Sequence, residues 1–550
     1  MAPRREFVAN CDKSLFLFFD TVNSYYRTSK MAVTACSAQA LPYPNLVGAN
    51  FLSLAALLVT NYTAYIPPAG YANNYGRNVT DVSFCNVTVT YTHPGQNDEI
   101  NVEMWLPTQT WNGRMLGVGG GGWNAGGEAF ILSNMTLGGG IADGYAALTT
   151  DAGHTSPDPR EWGLVSPGNV NMYLLQDFAA VSLNDLAVIG KSLIESFYGQ
   201  PPKYSYWSGC SGGGRQGYQL AQRYPDAFDG IAAAAPAINW GQWGVADFYP
   251  QVVMNEMGAW PFPCELDAIT AAVVDMCDAQ DGVVDDIVWY PDYCYFNPHN
   301  LVGTSISCSN TGSMLQISEA AAKVAEAVWG GARSMNGSFL WYGKYPDAVL
   351  TGDSSSTTSA THCASGTCTG LPMSISQYWI QVYITKNPDF NTSTITREQF
   401  DQIFHDSVDQ YSSILSSANT DLSQFKASGG KLITYHGLAD PLLSPMTTRN
   451  YYDAVTALDP DVHDFYRLFF SPGLDHCAGG KGGYPGGTFK SLADWVESGI
   501  IPETLNATTA AGTIKLLCPY PAVSIYKGVG DKDDISNYEC VQTEPLYRPL

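Results

Sequence analysis

One short string constrains the fold of this chain more than any other part of the sequence. It is Gly209-Cys-Ser-Gly-Gly213, and it lies between a strand-like run, 204–208, and a helix-like run, 215–224, that ends before a proline. Glycines beside a serine let the chain turn sharply from strand into helix, which exposes the serine oxygen above a helix N-terminus. The bare pattern also suits an ordinary Gly/Ser turn. Between a strand and a helix, it predicts that Ser211 is a nucleophile.

A serine nucleophile needs a base, and the base needs an acid that orients it. Two later strand-like runs, 431–435 and 465–470, are followed by residues of these types, Asp440 and His476. The order serine, acid, base, with each residue on a loop after a strand, is that of the α/β-hydrolases. His436 is a rival base near the acid. It ranks second because the base is expected after the acid in the chain.

Two cysteines adjoin the predicted nucleophile and base. Cys210 immediately precedes Ser211, and Cys477 immediately follows His476. A disulfide between them would hold their Cα atoms within about 4.4–6.8 Å. The alternative is that the two cysteines are unrelated and that each has another partner. We expect the bridge, because otherwise both adjacencies would be accidents.

Strand-like and helix-like patterns alternate along much of the chain, which predicts a mostly parallel sheet covered on both faces. The run 176–198 has apolar residues near a 3.6 period and is predicted to be a helix. No internal repeat is visible. The expected organisation is a leader of uncertain status, a catalytic domain in two parts, and an inserted lid between those parts. The leader comprises residues 1–35, the two parts of the catalytic domain are residues 36–238 and 426–550, and the lid comprises residues 239–425.

The flanked residues Cys210-Ser211, Asp440 and His476-Cys477 resemble the CS-D-HC arrangement of the tannase and feruloyl esterase family. The similarity extends from about residue 36 to residue 540. Other parts of the chain that share it are the glycine run 119–122, the string 150–154 and the string 435–441. The resemblance implies an α/β-hydrolase fold with a large inserted lid and a secreted carboxylic ester hydrolase.

The mechanism implied by the resemblance assigns one role to each residue. Ser211 attacks the ester carbonyl, His476 takes its proton and passes it to the leaving alcohol, and Asp440 orients the imidazole. Two backbone N–H groups would stabilise the oxyanion. The expected donors are Gly212 and, from the glycine run, Gly120 or Gly121. A phosphate cradle is a poor alternative for that run, because no Lys-Ser/Thr follows it.

The string 277–287 spaces carboxylates every three or four residues around a glycine, as oxygen ligands of Ca²⁺ often are. It is not a twelve-residue EF-hand loop, and a solvated acidic turn is the alternative. The resemblance implies a structural calcium site in the lid, beside a Cys277–Cys294 bridge. The implied ligands are the carboxylates of Asp278, Asp281 and Asp285 and the carbonyls of Val283 and Ile287. No organic cofactor is expected.

The resemblance also implies several further disulfides. They are Cys36–Cys85, Cys363–Cys368 and Cys518–Cys540. Cys264–Cys308 follows by elimination, and Cys11 would be left unpaired.

The compartment is inferred from these cysteines and from seven Asn-x-Ser/Thr sequons, which together favour the secretory route. The sequons are Asn61, Asn78, Asn86, Asn134, Asn336, Asn391 and Asn506. No clear signal peptide follows Met1, and Met31 is a second plausible start. The net charge is −24, which argues against nucleic acid or an anionic membrane as partner. Oligomeric state is not readable from the sequence.

The expected substrate is a small aromatic ester or an ester derived from plant cell walls. The lid segment lacks the basic processing site that some tannases of the family carry, which favours a hydroxycinnamoyl (feruloyl-type) acid. A tannase that hydrolyses galloyl esters is the alternative. A non-catalytic binding protein on the same scaffold is a second alternative, but it should have lost a triad residue. A metal-dependent hydrolase is disfavoured because no H-E-x-x-H is present.

Overall fold

The computed structural model describes residues 34–127 and 130–542 of the chain. The leader prediction, apart from its last two residues, and the predictions for Met31 and Cys11 concern residues outside these ranges.

Up to residue 238 the chain runs through four strands before its first α-helix and then mixes strands with helices. The strands are β1 (Asn50–Ile66), β2 (Arg77–Thr92), β3 (Ile100–Pro107), β4 (Arg114–Val118), β5 (Ala146–Thr150), β6 (Leu164–Ser166), β7 (Asn169–Val170), β8 (Tyr204–Cys210) and β9 (Gly230–Ala234). The helices are α1 (Ile131–Ala142), α2 (Met172–Gln176), α3 (Ser182–Tyr198) and α4 (Gly212–Arg223). A π-helical turn, Asp177–Val181, joins α2 to α3.

The lid segment, residues 239–425, is mainly helical. Its helices are α5 (Trp240–Ala246), α6 (Tyr249–Met257), α7 (Pro263–Cys277), α8 (Glu319–Gly330), α9 (Ser374–Tyr378), α10 (Arg397–Leu415) and the start of α11 (Ser423–Ala427). Its strands form two hairpins, β10 (Ser305–Cys308) with β11 (Ser313–Gln316) and β12 (Thr361–Ala364) with β13 (Thr367–Gly370). All of the segment is described, and it contributes no strand to the main sheet.

After the lid segment the chain returns to the sheet and ends in two further hairpins. The strands are β14 (Lys431–Gly437), β15 (Tyr466–Ser471), β16 (Leu505–Thr508), β17 (Ile514–Leu517), β18 (Ala522–Tyr526) and β19 (Tyr538–Gln542). The helices are α12 (Pro445–Leu458) and α13 (Thr488–Ser498).

Nine strands form the main sheet, in the order β1-β2-β3-β5-β4-β8-β9-β14-β15. The first three neighbouring pairs are antiparallel, and every pair from β5 to β15 is parallel. The carboxyl ends of parallel strands meet at one edge, so the loops after β4, β8, β14 and β15 lie together. These are the loops that carry the glycine run and the three predicted catalytic residues.

Helices cover both faces of the sheet, as the alternating patterns predict. Apolar side chains of α3, α4 and α12 are buried with one face, and those of α1 and α13 with the other. Each fully buried Leu or Ile contributes about 1.5–3 kcal/mol. The helical stretch Met172–Tyr198 is long and apolar enough to span a membrane by composition, but it is 61% buried in the protein. It is therefore a core helix of this fold.

The structure divides the predicted helix 176–198 at the π-helical turn. There the carbonyls of Phe178 and Ala179 each accept a hydrogen bond from the guanidinium of Arg215, at 2.9 Å. Arg215 is completely buried and lies on α4, the helix that follows Ser211. The turn thus supplies hydrogen-bond acceptors for a buried cation. The 3.6-residue period of apolar side chains does not predict such a turn.

Candidate active site

The turn from β8 into α4 has the geometry that the glycine-flanked serine predicts. Ser211 has φ 60° and ψ −119°, a conformation that costs energy for a residue with a side chain. A Cβ at Gly209 would lie 2.5 Å from the backbone of Gly213, so only glycine fits there. The N–H of Ser211 donates to the carbonyl of Ala234 at 3.1 Å. The serine therefore stands at the sheet edge, at the N-terminus of α4.

Asp440 and His476 are in direct contact. Nδ1 of His476 lies 2.7 Å from Oδ2 of Asp440. The aspartate side chain is completely buried, whereas 16% of the His476 side chain is exposed. With Nδ1 bound to the acid, Nε2 of the imidazole is left for a proton from the serine.

His436, the rival base, contacts the same acid but is itself completely buried. Its Nε2 lies 3.1 Å from Oδ2 of Asp440, and its Nδ1 lies 2.8 Å from the hydroxyl of Thr448. Both ring nitrogens are thus occupied within the protein. This environment suits a residue that holds the acid rather than one that exchanges protons with a substrate.

The acid is kept ionised by these contacts. Burial alone would raise the pKa of Asp440, but the charge of His476 and hydrogen bonds from both histidines outweigh it and hold that pKa well below its usual range. The N–H groups of Leu442 and Leu443 also donate to Oδ1, at 2.8 and 2.9 Å. The carboxylate is therefore fixed in both orientation and charge.

The predicted bridge between Cys210 and Cys477 is present, with a Cα–Cα distance of 5.9 Å across 267 positions of sequence. It ties the residue before the serine to the residue after the histidine. The hydroxyl of Tyr435 also donates to the carbonyl of Cys477 at 2.8 Å. The other five predicted pairs are bonded too: Cys36–Cys85, Cys264–Cys308, Cys277–Cys294, Cys363–Cys368 and Cys518–Cys540.

The glycine run packs against the start of α4, but its donors differ from the expectation. The N–H of Gly120 donates to the side-chain oxygen of Gln216, and that of Gly121 donates to the carbonyl of Asn124, both at 3.0 Å. Both predicted donors are therefore already engaged. The N–H groups of Gly122 and Gly212 have no acceptor in the described parts of the chain. A Cβ on Gly212 would lie 3.3 Å from the nitrogen of Gly122, so the two groups are close neighbours.

A serine at a strand–helix turn, a histidine–aspartate contact tied to that turn by the Cys210–Cys477 bridge, and two open N–H groups are the parts that acyl transfer requires. A model of the tannase and feruloyl esterase family matches residues 85–541 of this sequence. The chain belongs to the tannase and feruloyl esterase family. This family member is accordingly a carboxylic ester hydrolase.

Similarity to individual relatives covers nearly the whole chain. This family member is 38% identical over 514 residues to a probable feruloyl esterase of Arthroderma benhamiae, covering 91% of this chain and 92% of the relative. The solved tannin acyl hydrolase from Aspergillus niger matches with TM-score 0.82 and 27% identity, over 93% of this chain and 96% of that one. Feruloyl esterase B from Aspergillus oryzae matches with TM-score 0.75 and 26% identity, over 90% and 97%. The sheet and its helices therefore have the predicted α/β-hydrolase fold.

The acidic loop of the lid segment has the donor set of a hard-cation site. Burial first, then the nearby charges of Asp285 and Asp278, raise the pKa of Asp281 to about 6. One buried oxygen of Asp285 lacks a hydrogen bond, while its other oxygen pairs with Lys515 at 2.5 Å. Among the described residues, none donates to the carbonyls of Val283 or Ile287. Both oxygens of Asp278 accept backbone N–H groups, but the open oxygen of Asp285 and the two carbonyls are hard donors of the kind that fits Ca²⁺.

Two residues that support the site were not predicted from the sequence. Gln216 accepts from Gly120 and donates to the carbonyl of Ala125 at 2.8 Å, which braces the glycine run. Lys344 of the lid segment reaches the loop after β14 and donates to the carbonyl of Leu442. Neither residue belongs to a motif, and each meets its partner only through the tertiary fold. No sequence signal marks them.

The sequons differ in exposure. Five of the seven asparagines are exposed: Asn61, Asn78, Asn336, Asn391 and Asn506. Asn86 and Asn134 are partly buried. The amide of Asn86 donates to Glu103 at 3.2 Å.

A cavity of about 570 Å³ lies between the lid segment and the C-terminal hairpins. Its walls include Trp289, Tyr345, Arg449 and Phe470, and none of Ser211, Asp440 and His476 lines it. The predicted catalytic residues therefore lie outside this cavity.

Proposed function

We propose that this protein hydrolyses esters of hydroxycinnamic acids through an acyl-enzyme on Ser211. The contact between His476 and Asp440 carries the catalytic part of the proposal. His476 accepts the serine proton through Nε2 while Nδ1 stays bound to Asp440. The same nitrogen returns the proton to the leaving alcohol, and water then releases the acid by the reverse sequence.

The oxyanion, which forms on the carbonyl oxygen when the serine attacks the carbonyl carbon, is stabilised by the N–H groups of Gly212 and Gly122. Gly212 follows the nucleophile, and its N–H is the first of α4, where the helix dipole favours negative charge. Gly122 takes the role expected of Gly120 or Gly121, because only its N–H is open. Removing one such donor typically costs about 10²–10³ in kcat.

The aromatic acyl preference is supported by two observations. The relative at 38% identity is named a probable feruloyl esterase. Apolar side chains also border the glycine run: a ring carbon of Phe130 lies 3.0 Å from a Cβ placed on Gly121, and Cδ1 of Ile375 lies 3.7 Å from one on Gly122. Both side chains are partly exposed and offer a surface to an apolar acyl group.

Hydrolysis of galloyl esters is the second candidate. It is favoured by the higher TM-score of the tannin acyl hydrolase structure, 0.82 against 0.75 for feruloyl esterase B. The two acyl groups differ in hydroxyl groups and in the length of the linker to the ring. A site built to bond a hydroxyl can discriminate such groups by about 10⁴–10⁵.

The test is hydrolysis of methyl ferulate and methyl gallate by the full chain, with Ser211→Ala beside it. Release of ferulate in excess supports the proposal, and release of gallate in excess supports the second candidate. Ser313→Ala, which changes an exposed serine of the β10–β11 hairpin, is the matched control and should keep full activity. Equal hydrolysis by Ser211→Ala and wild type would exclude the acyl-enzyme on this serine.

We further propose a structural Ca²⁺ held by Asp278, Asp281, Asp285 and the carbonyls of Val283 and Ile287. Its charge would offset the buried carboxylate of Asp278 and the partly buried ones of Asp281 and Asp285, and its ligands would fix the loop beside the Cys277–Cys294 bridge. The proposed role of this ion is structural, to stabilise the lid segment.

Secretion is also proposed. It is supported by six disulfides, which persist in oxidising compartments, and by five exposed sequon asparagines. Passage through the secretory route predicts that exposed sequons are glycosylated. Mass spectrometry of the protein before and after enzymatic deglycosylation measures this. An intact mass equal to that of the bare chain would exclude glycosylation.

A further inference from the structure

An ion pair inside the lid segment lies against the loop of the catalytic acid. Lys344 and Asp247 are each 4% exposed, and Nζ lies 2.8 Å from the aspartate oxygen. Asp247 caps the C-terminus of α5, and the N–H of Lys344 donates to the carbonyl of Val328 in α8 at 2.9 Å. The pair is therefore anchored to two helices of the lid segment.

The lysine also reaches out of the lid segment. Its Nζ donates to the carbonyl of Leu442 at 2.5 Å. Next to it, the hydroxyl of Ser444 donates to the carbonyl of Gly343 at 2.6 Å. Two adjacent lid residues are thus bonded to the loop that follows Asp440. We call residues 440–444 the acid turn.

The acid turn sets the direction of the catalytic carboxylate. The N–H groups of Leu442 and Leu443 donate to Oδ1 of Asp440, which leaves Oδ2 facing His476. Lys344 donates to the carbonyl of Leu442, which belongs to the same peptide group as the N–H of Leu443. A shift of that carbonyl would move the N–H groups and rotate the carboxylate.

We propose that Lys344 is a positioning residue of the catalytic site, which aligns Asp440 with His476 by holding the carbonyl of Leu442. This inference rests on the proposed acyl-enzyme mechanism. It makes the lid segment part of the catalytic machinery, since the acid turn is correctly placed only when α5 and α8 are seated. Asp247 serves as the counter-charge that allows the lysine to be buried.

A purely structural role of Lys344 predicts a different result for the variant that lacks both charges. A buried ion pair that loses one member leaves an uncompensated charge, which destabilises the fold whatever its neighbours do. Removing both charges together relieves that penalty. If Lys344 acts only through stability, the double change should restore both stability and activity.

The experiment compares three variants with wild type in melting temperature and in kcat and KM for methyl ferulate. Lys344→Met lacks the bond to Leu442, Asp247→Asn retains the lysine but removes its counter-charge, and the double variant Lys344→Met/Asp247→Asn lacks the bond without leaving a buried charge. Lys426→Met is the matched control, because Lys426 pairs with Asp459 at 2.7 Å outside the site.

We expect Lys344→Met and the double variant to lose about 10- to 100-fold in kcat with KM little changed, as small misplacements of catalytic groups do. The double variant should melt close to wild type, whereas Asp247→Asn, which retains the lysine, should melt lower but lose less kcat than Lys344→Met. Recovery of kcat along with stability in the double variant would overturn the proposal. Absence of ester hydrolysis in wild type would instead refute the proposed function, so the two failures are distinguishable.

Discussion

Asp440 presents one oxygen, Oδ2, to the imidazole of His476, whose Nδ1 lies 2.7 Å away. The same oxygen contacts Nε2 of His436 at 3.1 Å, and Oδ1 accepts from the N–H groups of Leu442 and Leu443. Four donors therefore surround one completely buried carboxylate. Because every direction is occupied, the acid cannot rotate, and the base that it orients is set by the fold.

The two histidines on this carboxylate should differ sharply in their contribution to catalysis. His476→Gln should lower kcat by roughly 10⁴-fold or more, because it removes the proton-transfer group. His436→Gln should lower it about 10-fold, the effect of one lost hydrogen bond to a charged group. Initial rates on methyl ferulate measure both. A larger loss of kcat in His436→Gln than in His476→Gln would assign the role of base to His436 instead.

The ionisation of Asp440 predicts a pH dependence of stability. Its pKa in the folded protein lies below its usual value, so its contribution is complete above about pH 5 and is lost as the pH falls below about 4. The difference in melting temperature between wild type and Asp440→Asn should narrow as the pH falls below about 4. A difference that grows on acidification would contradict the lowered pKa.

The Cys210–Cys477 bridge should matter for both stability and activity. Cys210→Ala/Cys477→Ala should lose about 2–5 kcal/mol of unfolding free energy and much of its kcat, because the loops of nucleophile and base are no longer tied. The control is Cys363→Ala/Cys368→Ala, which opens a bridge of sequence separation 5 within one lid hairpin. It should leave kcat unchanged. Calorimetry and initial rates compare the two.

Gln216 should affect turnover through the glycine run. Gln216→Leu leaves the N–H of Gly120 and the carbonyl of Ala125 without partners, so the oxyanion donors shift and kcat should fall about 10- to 100-fold. Gln222→Leu is matched to it. Gln222 lies on the same helix and donates to Ser417 and Tyr451, away from the glycine run. Equal kcat losses in the two variants would show a general effect on α4.

Removal of calcium should affect stability more than chemistry. A ligand at 100 times its Kd adds about 2.7 kcal/mol to folding, so a chelator should lower the melting temperature, and added Ca²⁺ should restore it. Asp281→Asn should abolish this response, whereas Asp533→Asn, which changes an exposed carboxylate outside the loop, should keep it. A chelator response that survives in Asp281→Asn would place the metal elsewhere.

Much of the site could be predicted because its residues carry local signals. Gly209 is required by its close approach to Gly213, which allows the sharp turn in which Ser211 adopts a positive φ. The adjacency of Cys210 and Cys477 to the nucleophile and base predicted which loops meet. The pairs of cysteines and the acidic loop followed from the family resemblance.

The remaining features depend on contacts between distant parts of the chain. Whether Gly120, Gly121 or Gly122 keeps an open N–H depends on which acceptors Gln216 and Asn124 bring to the run, and all three glycines look alike in sequence.

The amino-acid sequence by itself determined the nucleophile turn, the order of the triad and the alternation of strands and helices. These follow from local conformational preferences and from periodicity, which act between near neighbours. Only the tertiary structure decided which glycine is open and that a lysine of the lid segment bonds to the acid turn. Hydrogen bonds are short and directional, so partners far apart in sequence are fixed only when packing has brought their atoms within about 3 Å.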